Sequence, residues 1–516
     1  MAFSRVEGHI RLRTWDFTLE VGIASGPVPG PGWAGTMHRQ WKGGGMDLAT
    51  ISRVLWERRR LRLRERWSRD RVAAYQQRRL NVLRRFSLAE SLFYRQFHRG
   101  LEAAPLNELP PLTKAVLMDN FDRISTDPAV RLTDLESYLD GLRDNRRFHG
   151  EYWVSATSGS SGRRSVIPNN AAEWATIIAS YARANEWAGI QAGPLHRVSM
   201  AVVSSTTSWH QSSRVAATVR SPFILSERLD AASPLSDIVA RLNAMQPTVL
   251  VGYASMVRAL ADEQLAGRLQ IAPRAVNSSS EVLTGEARAM AVRAWHVDPF
   301  NVYAATETGG VAAECRHHHG MHLFEDLVIP EVVDNDYRPV PLGHSGDRLL
   351  VTVLFSRTIP LIRYELTDRL RLSTASCPCG LPFRLAQSVE GRTDDVLEIP
   401  GVTGVAVRIH PILFHQVLDL VAAAGWQVRQ EEGHLHVLIA SPETSFNPET
   451  MKAALEASLI EAGAGRLTVR VSIVDSIPSG AAGKRPLVVA HRPTEPSEAS
   501  PATSASGQPA SRDAQP

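Results

Sequence analysis

The spacing of apolar and polar positions changes along the chain, and each change marks a new kind of element. From residue 47 to about 100, Val54, Leu55, Leu61, Trp67, Val72, Leu80, Leu83 and Phe86 recur at helical spacing. Between them stand Arg58, Arg59, Arg60, Arg62, Arg64, Arg66, Arg69 and Arg71, which predict a solvated helix face. In Leu109-Pro-Pro-Leu-Thr-Lys114 the prolines precede a helix start that Thr113 can cap. Trp153-Val154 is strand-like, and Trp174, Ile177, Ile178 and Tyr181 fall on one face of a later helix.

Apolar runs predict buried strands at 198–203, 248–251, 274–277 and 300–303, and a helix at 284–295. Strands alternating with helices predict a largely parallel sheet with ligands at the strand carboxyl ends. Past residue 320, short strands at 348–353 and 368–372, separated by turn residues, predict an antiparallel subdomain. From 395 to 490 the pattern predicts helices at 411–424 and 448–462, and strands at 426–429, 435–439 and 468–474. The fold class is therefore α/β: a large N-terminal domain of β-sheets and packed helices, then a small α+β C-terminal domain.

Gly26-Pro-Val-Pro-Gly-Pro-Gly32 and Gly43-Gly-Gly45 punctuate a poorly ordered N-terminal extension at 1–45, in which Met37 or, just beyond it, Met46 could serve as a start. The large domain is expected over 46–393 and the small one over 394–492. Pro, Ser and Ala dominate 493–516, which is expected to be a disordered tail.

Composition adds exclusions. At 516 residues and 44% hydrophobic, the chain can bury a large core. The net charge of +4 is concentrated in the arginine stretch, so no nucleic-acid partner is expected. No run of about 18 apolar residues is present, so no membrane span is expected, and without a signal-like N-terminus the expected location is cytoplasmic. The cysteines number 3, an odd set that argues against a disulfide framework.

Candidate chemistry begins at Ser155-Ala-Thr-Ser-Gly-Ser-Ser-Gly-Arg-Arg-Ser165. Glycines let a backbone approach a ligand, and amides and hydroxyls donate to phosphate oxygens, so the stretch suits a phosphate cradle. Arg163-Arg164 after Gly162 excludes the P-loop of NTPases. Taken alone, the composition suits a flexible surface loop equally well. Cys315-Arg-His-His-His-Gly-Met-His322 and Cys377-Pro-Cys379 supply the thiols and imidazoles of a closed tetrahedral zinc site, with buried free cysteines as the alternative.

Six motifs, in order, resemble those of the adenylate-forming superfamily of acyl-CoA ligases, adenylation domains and luciferases. They are Thr157-Ser-Gly-Ser-Ser-Gly162, Ser279-Ser-Glu281, Tyr303-Ala-Ala-Thr-Glu307, Arg363-Tyr-Glu-Leu-Thr-Asp368, Gly391-Arg-Thr-Asp-Asp395 and Gly483-Lys484. Leu92-Phe-Tyr-Arg95, Leu109–Lys114 and Ser165 in place of a second loop lysine resemble the phenylacetate-CoA ligase branch. The likeness runs over about 70–490. Departures are the serines in the phosphate loop, Arg163-Arg164, and Ser279-Ser280 before the glutamate.

The resemblance implies an adenylate-forming fold and a role for each matched position. Thr157, Ser158, Gly159, Ser160, Ser161 and Gly162 would hold the ATP phosphates, with Arg163 or Arg164 adding a cation. Ser280, Glu281, Tyr303 and Arg392 would contact the nucleotide, and Asp368 the ribose. Thr306 would donate to the α-phosphate and Glu307 would ligate Mg²⁺. Lys484 would be the catalytic lysine, and Asp394 the hinge of a mobile small domain. Trp209, His210, Gly252 and Tyr253 would border the acyl pocket, although a His beside Trp also suits simple packing. The branch's metal-binding members point to Cys315, His322, Cys377 and Cys379 as zinc ligands, over His317, His318 or His319.

The implied activity is ATP-dependent, AMP-forming activation of a carboxylic acid, aromatic or arylacetic, with pyrophosphate release and transfer to CoA. Cofactors would be ATP, Mg²⁺, CoA and structural Zn²⁺; a homodimer is compatible with this. A carrier protein or an amine as acceptor, or a non-catalytic nucleotide-binding homologue, are the alternatives. A zinc-containing nucleic-acid-binding protein leaves the six ordered motifs unexplained.

Overall fold

The computed structural model describes residues 48–157, 164–193, 195–218, 221–392, 397–402, 405–409, 411–418, 421, 423–478 and 486–490. The predicted N-terminal extension and the tail lie outside these residues. Helices α1 (Leu48–Arg64) and α2 (Arg69–Glu90) come first, and Ser68 caps α2 by accepting from the Arg71 amide. Ser91 does the same for α3 (Leu92–Phe97) through the Tyr94 amide.

The arginine face of these helices is only partly solvated, contrary to the expectation. Arg58 and Arg62 reach the Glu186 carboxylate at 2.9 and 2.6 Å. Arg64 donates to Asp326 at 3.3 Å, and Arg183 brackets the same buried carboxylate at 2.7 and 2.9 Å. The partners lie far along the chain, so helical phase alone could not reveal them. Removing one member would strand a buried charge, at a cost of about 3–5 kcal/mol.

Short helices α4 (Lys114–Asp119), α5 (Phe121–Ile124) and α6 (Leu132–Asp140) follow, with Thr113 capping α4 as expected. On either side of the hydroxyl-rich stretch, β1 (Trp153–Ala156) and β2 (Val166–Asn169) pair antiparallel, with Ala156 facing Val166. The helix expected after the loop, α7 (Ala171–Trp187), begins only after β2 and opens with a capping box between Asn170 and Glu173.

Next come β3 (Val198–Ser204), α8 (Gln211–Thr218), β4 (Ile224–Asp230), α9 (Leu235–Met245), β5 (Val249–Gly252) and α10 (Ala254–Leu265). They continue into β6 (Ala275–Ser279), α11 (Gly285–Trp295), β7 (Phe300–Ala305), β8 (Gly309–Glu314) and β9 (Met321–Leu323). Beyond these lie β10 (Val328–Val333), β11 (Arg348–Val353), β12 (Tyr364–Leu366), β13 (Asp368–Leu372) and β14 (Leu385–Arg392).

The main sheet has 9 strands in the order β13-β14-β9-β8-β7-β6-β5-β3-β4. Pairings from β4 through β7 are parallel, as the strand–helix alternation predicts, while those from β7 to β13 are antiparallel. The expected antiparallel subdomain is therefore divided. β10, β11 and β12 form a separate sheet of 3 strands, and the strand at 368–372 joins the edge of the main sheet because β14 pairs with β9.

The chain ends in β15 (Leu397–Pro400), β16 (Ala406–Ile409), α12 (Pro411–Leu418), β17 (Ala423–Glu431), β18 (His434–Pro442), α13 (Pro448–Glu461), β19 (Thr468–Val474) and β20 (Val488–Val489). The helix predicted over 411–424 stops at Leu418, and Ala423 already pairs with Pro442 in the sheet. Leu397, Phe414, Val428, Val437, Leu455 and Val469 share one apolar cluster, separate from those of the preceding region. Truncating a fully buried phenylalanine such as Phe414 to alanine costs about 3–5 kcal/mol. Among the described residues no helix is long and apolar enough to cross a membrane.

Candidate functional site

The base of the hydroxyl-rich loop is closed by two hydrogen bonds. The Thr157 amide donates to the Ser165 carbonyl at 3.0 Å, and the Ser165 amide donates to the Thr157 hydroxyl at 2.9 Å. Thr157 thus binds Ser165 through its amide and its hydroxyl oxygen, and Ser158, Gly159, Ser160, Ser161, Gly162 and Arg163 lie outside the described residues. Arg164 stacks over the Trp209 ring at 4.9 Å and approaches Asp140 at 4.0 Å, so it flanks the β1–β2 pair. The Trp209 carbonyl accepts from the Ala156 amide at 3.0 Å, which ties the Trp209-His210 segment to β1.

Two pairs of tyrosine and carboxylate join motifs far apart in sequence. The Tyr303 hydroxyl, from β7, donates to Asp368 Oδ2 at 2.7 Å at the start of β13. The Tyr364 hydroxyl, from β12, donates to Glu307 Oε1 at 3.0 Å. Burial pushes the Tyr364 phenol far above its ordinary range, so it stays a donor. Glu307 is 9% exposed and Asp368 8%, so each carboxylate is presented from a largely desolvated setting.

Packing behind the turn explains its shape. The Thr306 carbonyl accepts from Gln211 Nε2 at 2.8 Å, and Gln211 Oε1 accepts from Tyr181 at 2.8 Å. A Cβ on Gly310 would stand 2.8 Å from the Phe324 ring, so only glycine lets β8 lie this close. The sequence patterns singled out neither Gln211 nor the bond from Tyr364; its adjacency to Arg363 was the available signal. Arg363 itself is 2% exposed and adopts φ 51°. It donates to the Leu109 carbonyl, its amide binds Thr352 Oγ1 at 3.0 Å, and its carbonyl accepts from Leu112 at 2.9 Å. The arginine of this motif therefore clamps the 109–112 segment against β12.

Other predicted residues have structural partners. Ser280 follows β6 with φ 68°, and Glu281 Oε2 accepts from the Ser255 amide at 2.9 Å in the first turn of α10. Tyr253 is buried, and its hydroxyl accepts from the Ser205 amide at 2.9 Å, which turns it into the core beside β5 and Gly252. Arg392 faces Asp368 across the β13–β14 ladder. Asp394 and Lys484 lie outside the described residues.

The cysteines converge. Ligand atoms of Cys315, His322, Cys377 and Cys379 all lie within 4.8 Å of one another. Cys315 Sγ is 3.6 Å from Cys377 Sγ, near the roughly 3.8 Å edge expected for thiolates on tetrahedral zinc. His322 Nδ1 lies 3.4 Å from the Phe383 carbonyl, while Nε2 faces Cys379 Sγ at 3.2 Å. In that arrangement the Phe383 carbonyl would accept from Nδ1 and orient the imidazole so that Nε2 faces a metal. Burial pushes the Cys379 thiol up to about 12, so a cation is what would make these sulfurs thiolates. The cluster joins the end of β8, β9 and the β13–β14 connection, all in the antiparallel half of the sheet.

No protein-family model matches the chain. It is 30% identical over 237 residues to the phenylacetate-coenzyme A ligase of Thermus thermophilus, covering 43% of this chain and 52% of that protein. It is 24% identical over 310 residues to the phenylacetate-coenzyme A ligase of Aromatoleum evansii, covering 57% and 66%. The match thus spans about half of the first relative and about two thirds of the second. Among solved structures, a 2-hydroxyisobutyryl-CoA ligase in a postadenylation state overlays with a TM-score of 0.65 at 19% identity, covering 83% of this chain and 91% of that one. The chain has the fold of that ligase, and over part of its length its sequence is similar to phenylacetate-coenzyme A ligases.

Proposed function

We propose that the protein is an AMP-forming acid-CoA ligase. The observation that carries this reading is the pair of cross-motif bonds, Tyr303 to Asp368 and Tyr364 to Glu307, which doubly joins two of the six motifs, Tyr303–Glu307 and Arg363–Asp368. In the first half-reaction a carboxylate oxygen attacks the α-phosphorus of ATP, and the bond to the β-phosphate breaks to release pyrophosphate. In the second, a thiol displaces AMP from the acyl-adenylate and leaves a thioester.

Such chemistry asks for charge neutralisation and positioning more than for proton transfer. Asp368 offers acceptors to the ribose hydroxyls, and Tyr303 orients its carboxylate. Glu307 would hold Mg²⁺, which supplies neutralisation of phosphate charge when bound, and Tyr364 fixes the carboxylate for that purpose. The hydroxyls and amides of the loop after Thr157 would donate to the β- and γ-phosphates. Lys484 would place a point cation between carboxylate and α-phosphate, and Asp394 would act as the hinge of a mobile small domain. The 2-hydroxyisobutyryl-CoA ligase has been solved in postadenylation and thioesterification states, which supports a cycle with two half-reactions. The acid is proposed to be aromatic or arylacetic, by likeness to the phenylacetate-coenzyme A ligases. Cys315, His322, Cys377 and Cys379 would hold a structural zinc.

The test is incubation with ATP, Mg²⁺, CoA and a panel of aryl, arylacetic and aliphatic acids, with mass spectrometry for acyl-CoA and AMP. Formation of AMP and thioester in equal amounts supports the reading. Acyl-adenylate without thioester would shift the acceptor to a carrier protein or an amine, and neither product from any acid would reject an enzymatic role.

A further inference from the structure

A cavity of about 310 Å³ opens between α1, α2, the start of α7 and the 354–357 turn, apart from the residues assigned above. It is lined by Arg60, Arg79, Arg357, Trp56, Tyr75 and Phe355, among others. Its size is at the lower end for small-molecule pockets.

The charge within it is unbalanced once each acid is accounted for. Asp326 is bound by Arg183 and Arg64. Glu173 is saturated: it accepts from the Thr358 amide at 2.8 Å, the Thr358 hydroxyl at 2.6 Å, the Asn170 amide at 2.7 Å and the Arg357 amide. Glu57 pairs with Arg60 at 2.9 Å. Arg79 donates to the Leu354 carbonyl at 3.3 Å, and Arg357 donates to the Ser356 carbonyl at 2.7 Å and lies over the Phe86 ring at 5.4 Å. Neither forms an ion pair among the described residues, and Arg79 Nε is buried without a hydrogen-bond partner. Burial, and then the neighbouring Arg79, push the Arg357 guanidinium below its ordinary value.

Two guanidiniums in no ion pair among the described residues, in a cavity with aromatic and leucine walls, suit an anionic group carried on an apolar body. We propose that this cavity is a second ligand site, which binds a small organic phosphate or carboxylate through Arg79 and Arg357, with its apolar part against Tyr75, Leu354 and Phe355. Two planar donor forks facing one anion give the bidentate recognition that arginine supplies and lysine does not.

Phenyl phosphate is a suitable probe because it lacks the carboxylate that adenylation requires. Isothermal titration of the full chain is expected to show one site for it, with phenol not binding and inorganic phosphate binding more weakly. Arg79→Gln and Arg357→Gln should each weaken binding at least about tenfold, while Arg357→Lys, which keeps the charge, should still lose most of the affinity. Circular dichroism melting checks that the variants fold; if one does not, Tyr75→Ala, which strips an aromatic wall, serves in its place with the same expected direction. Saturating ATP and the variant Lys484→Ala should leave binding unchanged, which separates this site from the ligase reading. No binding to the wild type at millimolar concentration, displacement by ATP, or equal affinity in the arginine variants would overturn the proposal.

Discussion

Tyr303 and Asp368, 65 positions apart, meet through a 2.7 Å hydrogen bond between β7 and β13. The bond starts on β7, the strand at which pairing changes from parallel to antiparallel, and holds the Asp368 carboxylate at the edge of the antiparallel half. Tyr303→Phe removes one bond to a charged acceptor, worth about 1.5–3 kcal/mol, and should weaken ATP binding roughly 10-fold or more with a smaller effect on kcat. Asp368→Ala should weaken it further. Titration of ATP into each variant measures this, and unchanged ATP affinity in Asp368→Ala would remove the ribose assignment.

Glu307 and Tyr364 form the second pair. Glu307→Gln keeps the shape but loses the charge that would hold Mg²⁺, so adenylation should fall at least about 100-fold, as when a transition-state contact is lost. Raising Mg²⁺ should recover part of the rate. Tyr364→Phe should cost less, because the carboxylate remains.

The cysteine cluster predicts stoichiometric zinc in protein purified without chelator. Cys379→Ser or His322→Ala should reduce zinc affinity at least about 100-fold, exceeding the 10–100-fold typical of outer-shell changes. Melting temperature should fall with the metal, because closed ligation ties β8 and β9 to the β13–β14 connection. Metal analysis without zinc would remove the assignment.

A pH dependence follows from His98, which is 1% exposed and whose Nε2 has no hydrogen-bond partner. Burial, and then the nearby Arg84, lower its pKa to about 4. The unfolded chain takes up the proton near the ordinary value of about 6.5, so between these values the unfolded state binds more protons. The stabilisation is fully present above about 6.5 and is lost as pH falls toward 4. Urea midpoints at pH 7.5 and 5 should converge for His98→Leu relative to wild type.

The order of strands and helices from 198 to 303 was legible because buried parallel strands are continuous apolar runs, and the polar clusters fell at their carboxyl ends. The division of the antiparallel region was not, because β13 and β14 join the main sheet through β9, a strand too short to carry a pattern. Arg58, Arg62 and Arg64 appeared solvated because a helix pattern shows which face a residue occupies and not which carboxylate meets it. The four metal-cluster residues were found from ligand type together with the family resemblance, and the structure brings them together. The hydrogen bond that holds Tyr253 was not legible, because a glycine-tyrosine pair after a strand suits both a pocket wall and a core anchor. Its hydroxyl accepts from the Ser205 amide, a partner 48 positions away that no local pattern reveals.

The central claim is that this chain activates a carboxylate on ATP, and carboxylate-dependent exchange of pyrophosphate into ATP tests it most directly. Exchange that requires Mg²⁺ and an added aryl, arylacetic or aliphatic acid, needs no CoA, and falls at least about 100-fold in Lys484→Ala, is the predicted result. Absence of exchange with every acid, or near-wild-type exchange in Lys484→Ala, would contradict the account.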